Sequence, residues 1–143
     1  MMQFVIAAPR SGSGKTTVTC ALLAALKKRG MAPCAFKSGP DYIDPMFHRA
    51  VLGVESHNLD LYLSAKNTVR ELYAHYAAGH GAVVCEGAMG FYDGQGLTTR
   101  ASAWEPAGTV GGTAQGGQCD AGSRDPGPCA FQTGEPHCRH PAE

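Results

Sequence analysis

Residues 9–17 read PRSGSGKTT, between the apolar run Phe4 to Ala8 and a stretch of helical periodicity. No other feature of the sequence constrains the fold as tightly. Small residues ending in Gly-Lys-Thr cradle a phosphate only when a strand delivers the loop and a helix leaves it. Successive backbone N–H groups and the helix dipole then converge on one anion. Both flanks are present. FVIAA is fully apolar, as a strand buried on both faces of a parallel sheet requires. From Lys15 to Arg29 the pattern is helical, with Val18, Leu22, Ala25 and Leu26 on one stripe. Lys27, Lys28 and Arg29 suit the C-terminal end of the helix dipole, and Gly30 can terminate it.

Within the loop, Gly12 and Gly14 allow the backbone to approach a phosphate closely. Lys15 is expected to reach the β- and γ-phosphates and the Thr16 hydroxyl to ligate Mg²⁺. The expected nucleotide contacts are Ser11, Gly12, Ser13, Gly14, Lys15, Thr16 and Thr17. Pro9 stands where the first glycine of G-x-x-x-x-G-K-[ST] belongs. The plain alternative is a Gly/Ser-rich connector carrying a chance Lys-Thr, which the flanking elements disfavour.

Further along, Ala32 to Ser38 (APCAFKS) and Gly81 to Gly87 (GAVVCEG) read as second and third strands. Asn67 to Gly79 reads as a helix capped by Asn67, with Val69, Leu72, Tyr73 and Tyr76 turned inward. Strand, helix, strand, helix, strand predicts an α/β fold, a P-loop NTPase-type open parallel sheet with flanking helices. The intervening Met31 to Asn67 breaks that rhythm and reads as loop-rich, as a ligand-binding segment does.

Several residues outside the loop carry chemistry. Glu86 ends the third strand, and a carboxylate at the carboxyl end of a parallel strand faces the ligand crevice. There it can hold Mg²⁺ directly or through water; a strand-end charge turned to solvent is the alternative. Asp41 and Asp44 flank Tyr42-Ile43 and suit a metal or a nucleophile as well as they suit a solvated loop. Lys37 can neutralise a carboxylate substrate or a phosphate, or be a surface lysine. His48 reads equally as a surface histidine or a ligand, and Asp93 as a ligand or a turn residue.

The 143 residues suffice for one domain with a core. Twelve basic side chains balance twelve acidic ones, which argues against a nucleic-acid groove or a membrane surface held by charge. No apolar run approaches the roughly 20 residues that span a bilayer. The N-terminus has no basic flank followed by a cleavage site, which points to the cytoplasm. Cys20, Cys34 and Cys85 lie in apolar segments and read as reduced thiols. Cys119, Cys129 and Cys138 lack the spacing of a zinc finger, although His137 and His140 flank Cys138.

The character changes near Glu105. Residues 106–143 hold eight Gly and five Pro among 38, with Val110 and Phe131 alone among Leu, Ile, Val and Phe. That composition is associated with disorder. The chain therefore divides into 1–105, part of a P-loop domain cut short, and 106–143, an aberrant or disordered tail that leaves a sheet edge unpaired.

Taken together, VIAAPRSGSGKTTVTCALLAALKKRG, FKSGPDYIDPMFH, SHNLDLYL and VVCEGAMGFYDG resemble the N-terminal part of the cobyrinic or hydrogenobyrinic acid a,c-diamide synthase family over about residues 3 to 105. The resemblance implies a dethiobiotin synthetase-like fold and an ATP- and Mg²⁺-dependent ligase. Such an enzyme amidates the a and c carboxylates of a corrinoid through an acyl phosphate, with ammonia from a glutamine amidotransferase domain. It further implies that Lys15 and Thr16 hold phosphates and Mg²⁺, that Asp44 and Glu86 complete the metal and catalytic shell, and that Lys37 and Asp41 line the substrate side. It allows a homodimer in intact members. Nothing in this sequence matches the amidotransferase domain, so the chain alone is expected to be inactive. The last residues, EPHCRHPAE, permit S-H-I-A-G-I-L-L-N when their codons are read one nucleotide later. That resembles a later stretch of the family and reads as a frameshift between Thr99 and Gly134. The alternatives are a dethiobiotin synthetase-like ligase and a ParA/MinD-type ATPase switch. Against the switch, Arg10 stands where such proteins carry a second lysine, and GPDYIDP has no role in them.

Overall fold

The structure, a computed structural model, describes residues 1–90 and 129–132. Strand β1 (Met2–Ala7) leads through the glycine-rich loop into helix α1 (Lys15–Lys28), and β2 (Pro33–Ser38) follows. A short helix α2 (Ile43–Phe47) runs into a π-helical turn (His48–Leu52) and then β3 (Glu55–Leu59). Helix α3 (Lys66–Ala77), β4 (Ala82–Glu86) and β5 (Cys129–Gln132) complete the described elements. The sheet order is β3-β2-β4-β1-β5, with β1 to β4 mutually parallel and β5 antiparallel to β1. The expected α/β architecture is therefore present.

Strand alternation explains the layering. On β2 and β4, Ala35, Ala82 and Val84 join Ile6 of β1, Val54, and Leu23 and Leu26 of α1 in one core cluster. Their neighbours Cys34, Phe36 and Val83 face the other way and pack with Leu59 and with Val69, Tyr73 and Ala77 of α3. Successive side chains of a strand point to opposite faces. Lys37, two residues after Ala35, and Glu86, two after Val84, therefore turn to the α1 face at the carboxyl ends of their strands. That alternation positions the site.

Several sequence expectations are corrected. The stretch 31–67 is not merely loop: it holds α2, the π-helical turn and β3, whose polar sequence ESHNL lacks an apolar run. The buried stripe of α1 is Lys15, Thr19, Leu23 and Leu26, and Val18 is exposed. On α3, Val69, Tyr73 and Ala77 are buried, whereas Leu72 is exposed. The cap of α3 is Ala65 and makes no side-chain hydrogen bond, so Asn67 does not cap it. Gly30 does end α1: with φ 75°, its N–H donates to Lys27 O at 3.0 Å and that of Met31 to Leu26 O at 3.1 Å. This pairing is a Schellman closure.

β4 has partners on both sides, and β5 covers the far side of β1, so the edge expected to stay open there is paired. Asp93, Cys119, Cys138, His137 and His140 lie outside the described residues. Cys20, Cys34 and Cys85 are free thiols, as expected. Burial pushes both Cys34 and Cys85 up to about 12. Among the described residues no helix is long and apolar enough to cross a membrane.

Candidate active site

The loop after β1 turns on two left-handed glycines, Gly12 at φ 74° and Gly14 at φ 80°. Neither would meet an atom within 4 Å if given a Cβ. Their requirement is therefore the backbone angle, which other residues adopt only at a cost. Gly14 caps α1 without any side-chain hydrogen bond, and the first-turn N–H groups of a helix point toward whatever occupies the loop in front of them. The Ser13 hydroxyl donates to Arg10 O at 2.9 Å, and Lys15 Nζ donates to the same oxygen at 3.2 Å. The loop is thereby closed on itself around the base of α1.

Lys37 and Glu86 occupy the same register position on adjacent strands. Lys37 Nζ donates to Glu86 Oε1 at 2.7 Å and to Asp44 Oδ2 at 2.5 Å, and lies 3.7 Å from Asp41 Oδ2. The Thr16 hydroxyl lies 2.7 Å from Glu86 Oε1 and 3.2 Å from Asp44 Oδ2. Lys37 and Glu86 are both buried. Burial alone pulls the Lys37 ammonium down, but the hydrogen bonds and charges of Asp44 and Glu86 outweigh it and its pKa rises. Burial opposes ionisation of Asp44 as well. Its bonds to Lys37 and Thr16 prevail, and its pKa falls below the usual carboxylate value. Asp41 plays a local part too: its Oδ1 accepts from Ile43 N at 3.0 Å and from Asp44 N at 3.4 Å, turning the chain into α2.

Residues 11–17, Lys37, Asp41, Asp44 and Glu86 all line one cavity of about 510 Å³, together with residues 87–89. That volume is in the range of small-molecule sites. The residues expected to bind nucleotide or metal or to act in catalysis thus line a single cavity, whereas His48, read as a surface histidine or a ligand, is not among its lining residues. A second recess of about 470 Å³, lined by Ser38, Pro40, Asp41, Tyr42, Ile43 and Ala88, adjoins it and shares Asp41 and Ala88. Its walls include two exposed apolar side chains, Tyr42 and Ile43.

The family described as the CobQ/CobB/MinD/ParA nucleotide binding domain matches residues 4–102. The chain belongs to this family. It is 54% identical over 94 residues to a cobyrinate a,c-diamide synthase of Gloeobacter violaceus, covering 66% of the chain and 21% of that relative. A hydrogenobyrinate a,c-diamide synthase of Streptomyces coelicolor is 52% identical over 92 residues, 64% of the chain and 19% of the relative. One from Rhodobacter capsulatus is 55% identical over 89 residues, 62% of the chain and 20% of the relative. The chain spans about a fifth of the length of these curated relatives.

Membership in this nucleotide-binding family makes the donor set worth testing for a cation. Three carboxyl groups lie within 4 Å of one ammonium, a formal excess of two negative charges. Glu86 Oε2 is buried with no partner among the described residues. No three His, Cys, Asp or Glu among the described residues form a metal-ligand group by themselves. A hydroxyl and two carboxylates suit Mg²⁺, which is held by few protein oxygens and completed by phosphate and water. The residues present fit such an ion.

Two neighbours, Ser56 and Asn58, were not legible in the sequence, and His48 was open between a surface histidine and a ligand. His48 is almost wholly buried, not a surface histidine, and its Nδ1 lies 3.0 Å from the buried Ser56 Oγ. Asn58 Nδ2 donates to Gly39 O at 2.8 Å and Asp41 O at 2.6 Å, fixing the loop that carries Asp41. Ser56 and Asn58 belong to the unforeseen β3, and no spacing signal pointed to them.

Proposed function

We propose that this chain is the nucleotide-binding part of a cytoplasmic carbon–nitrogen ligase that amidates the a and c carboxylates of cobyrinic or hydrogenobyrinic acid. ATP is the activating substrate, Mg²⁺ the metal and glutamine the source of ammonia. The observation that carries the reading is the convergence of Thr16, Lys37, Asp44 and Glu86 within hydrogen-bonding distance at the mouth of the phosphate loop. The names of the relatives support the substrate class.

A carboxylate is a poor electrophile, and hydroxide is a poor leaving group. In the proposed reaction a substrate carboxylate oxygen attacks the γ-phosphorus and ADP departs, leaving an acyl phosphate. Ammonia then attacks the carbonyl carbon, inorganic phosphate leaves with its bonding pair, and the nitrogen sheds a proton to give the primary amide. The loop amides and Lys15 bind and orient the phosphates. Thr16, Asp44 and Glu86 would hold Mg²⁺, which when bound supplies charge neutralisation for two anions brought together. Lys37 stands between the carboxylates with its charge kept by them, and adds fixed positive potential where the two anions meet. The recess beside Tyr42 and Ile43, sharing Asp41 with the phosphate cavity, offers an apolar wall for the rim of a macrocycle. The four-fifths of the relatives outside the match would supply the amidotransferase and the rest of the acceptor site. The chain alone is then inactive in amidation, and a homodimer is the assembly proposed for the intact enzyme.

A chimaera in which this chain replaces the matching fifth of the Streptomyces coelicolor relative tests the reading. With hydrogenobyrinic acid, ATP and glutamine it should release ADP and yield a diamide by mass, and Lys15→Ala should abolish both. Turnover of diaminopelargonate with corrinoids ignored would replace the reading with a dethiobiotin synthetase-like one. ATP hydrolysis stimulated only by a protein or DNA partner would favour a ParA/MinD-type switch.

A further inference from the structure

Asn58 lies within strand β3, although asparagine is disfavoured in strands. Its register explains the choice. Asn58 pairs with Lys37 of β2, and Lys37 pairs in turn with Glu86 of β4. The three residues form one row across β3, β2 and β4, and residues in one row of a sheet point to the same face. Asn58 therefore extends the row that carries the buried ion pair, yet no step of the proposed reaction uses it.

Its amide is committed to the turn between β2 and α2. Nδ2 donates to Gly39 O at 2.8 Å and to Asp41 O at 2.6 Å. Both partners are carbonyl oxygens, so only the NH₂ end of the amide fits, and both of its hydrogens are used. The backbone adds two ties: Gly39 N donates to Leu59 O and Asp41 N to Gly39 O, each at 3.0 Å. Gly39, at φ 81°, takes the left-handed step with which the turn begins. Holding two carbonyls two residues apart fixes the peptide planes between them, and with them the direction in which Asp41 leaves the turn. From Asp41 the bonds continue into the site. Its Oδ1 accepts from Ile43 N at 3.0 Å and from Asp44 N at 3.4 Å. Asp44 Oδ2 then accepts from the Thr16 hydroxyl at 3.2 Å and from Lys37 Nζ at 2.5 Å. An unbroken run of hydrogen bonds leads from Asn58 through Asp41 to Asp44.

We propose that Asn58 is a positioning residue for the cation site: by clamping the carbonyls of Gly39 and Asp41 it sets Asp41, and through Asp41 it holds the Asp44 carboxylate beside Thr16. This rests on the nucleotide and Mg²⁺ reading of the site. Partners beyond the metal ligands orient them, and their loss lowers metal affinity by about 10–100-fold. Asn58 touches neither phosphate nor metal. Its effect is confined to the gain that Mg²⁺ brings, while the loop of residues 11–17 binds phosphates as before.

The test is a Mg²⁺ titration of N-methylanthraniloyl-ATP binding to the full chain, beside thermal melting of each variant without ligand. Asn58→Asp keeps the size of the side chain and replaces both donors with an acceptor. It should raise the Mg²⁺ midpoint about tenfold, the low end for a partner outside the ligand shell, with metal-free nucleotide binding unchanged. Asp41→Ala should raise the midpoint as well, and adding Asn58→Asp to it should cost little more, because the relay is already cut. A wild-type midpoint in a folded Asn58→Asp would overturn the inference. So would an equal loss of metal-free and Mg²⁺-dependent binding, which marks a packing role, or full additivity with Asp41→Ala, which removes Asp41 from the route. Should Asn58→Asp fail to melt cooperatively, Asn58→Ser is judged by the same outcomes, since its hydroxyl is too short to span both carbonyls. Wild-type binding that ignores Mg²⁺ altogether would sink the site reading itself, an outcome visible before any variant is made.

Discussion

Lys37 and Glu86 face each other across adjacent parallel strands, with Nζ 2.7 Å from Oε1 and both side chains almost wholly buried. A buried ion pair is weak evidence for stability, but removing one member leaves an uncompensated charge and costs about 3–5 kcal/mol. Lys37→Met should therefore destabilise the fold by roughly that amount in urea, and Lys37→Met with Glu86→Gln should recover a large part. If the single and double variants melt alike, the pair is not coupled as described.

Asp44 gives the acid side of the stability profile. Its pKa in the fold lies below the ordinary value because the Lys37 and Thr16 contacts outweigh burial. A depressed carboxyl pKa contributes stability that is present above the unfolded value of about 3.9 and is lost as pH falls through the folded value. Lys37 has the opposite sign: its raised pKa contributes stability that is fully present below about 10.4 and fades as pH rises through the folded value. Asp44→Asn should thus narrow the gap in unfolding free energy between pH 7 and pH 3. An undiminished gap would mean that Asp44 carries no share of it.

Much of this arrangement is legible in the sequence, for a physical reason. FVIAA and the AVVC that precedes Glu86 are apolar throughout because parallel strands are buried on both faces, and the glycines of the loop are required by φ. These constraints act residue by residue. ESHNL is different: among the described residues β3 pairs with β2 alone, and its side chains Glu55, His57 and Asn58 are polar. An edge strand of that kind owes its conformation to its partner, so neither β3 nor the buried neighbours it offers, Ser56 and Asn58, were visible. His48 was ambiguous for a related reason, since a histidine four residues from an aspartate looks the same whether it faces water or β3. The helix stripes were read one position off on α1 because Thr19 is buried as fully as Leu23.

Gly53 ends the π-helical turn at φ 58°, and a Cβ there would come within 2.8 Å of Lys27 Nζ. Gly53→Ala combines left-handed strain, worth about 1–2 kcal/mol, with displacement of the lysine that caps Leu52 O. A drop in melting temperature is expected, and Lys27→Met should give a smaller one. A neutral Gly53→Ala would show that the turn relaxes freely.

Tyr73 is buried against Phe36, ring centroids 5.0 Å apart, and its hydroxyl has no partner among the described residues. Burial also pushes its pKa up. Relieving an unsatisfied buried hydroxyl gains about 1 kcal/mol or more, so Tyr73→Phe should leave the protein equally stable or more so in urea. A loss above about 1 kcal/mol would reveal a partner for that oxygen.

In the proposed reading Thr16, Asp44 and Glu86 form one cation site with the phosphate loop. Calorimetric titration of ATP into the chain, with Mg²⁺ and again with EDTA, tests it directly when repeated on Glu86→Gln. Mg²⁺ should tighten wild-type binding by about tenfold or more, the worth of one charge-assisted contact, and the gain should nearly vanish in the variant. Wild-type affinity indifferent to EDTA, or a full Mg²⁺ gain retained by Glu86→Gln, would contradict it.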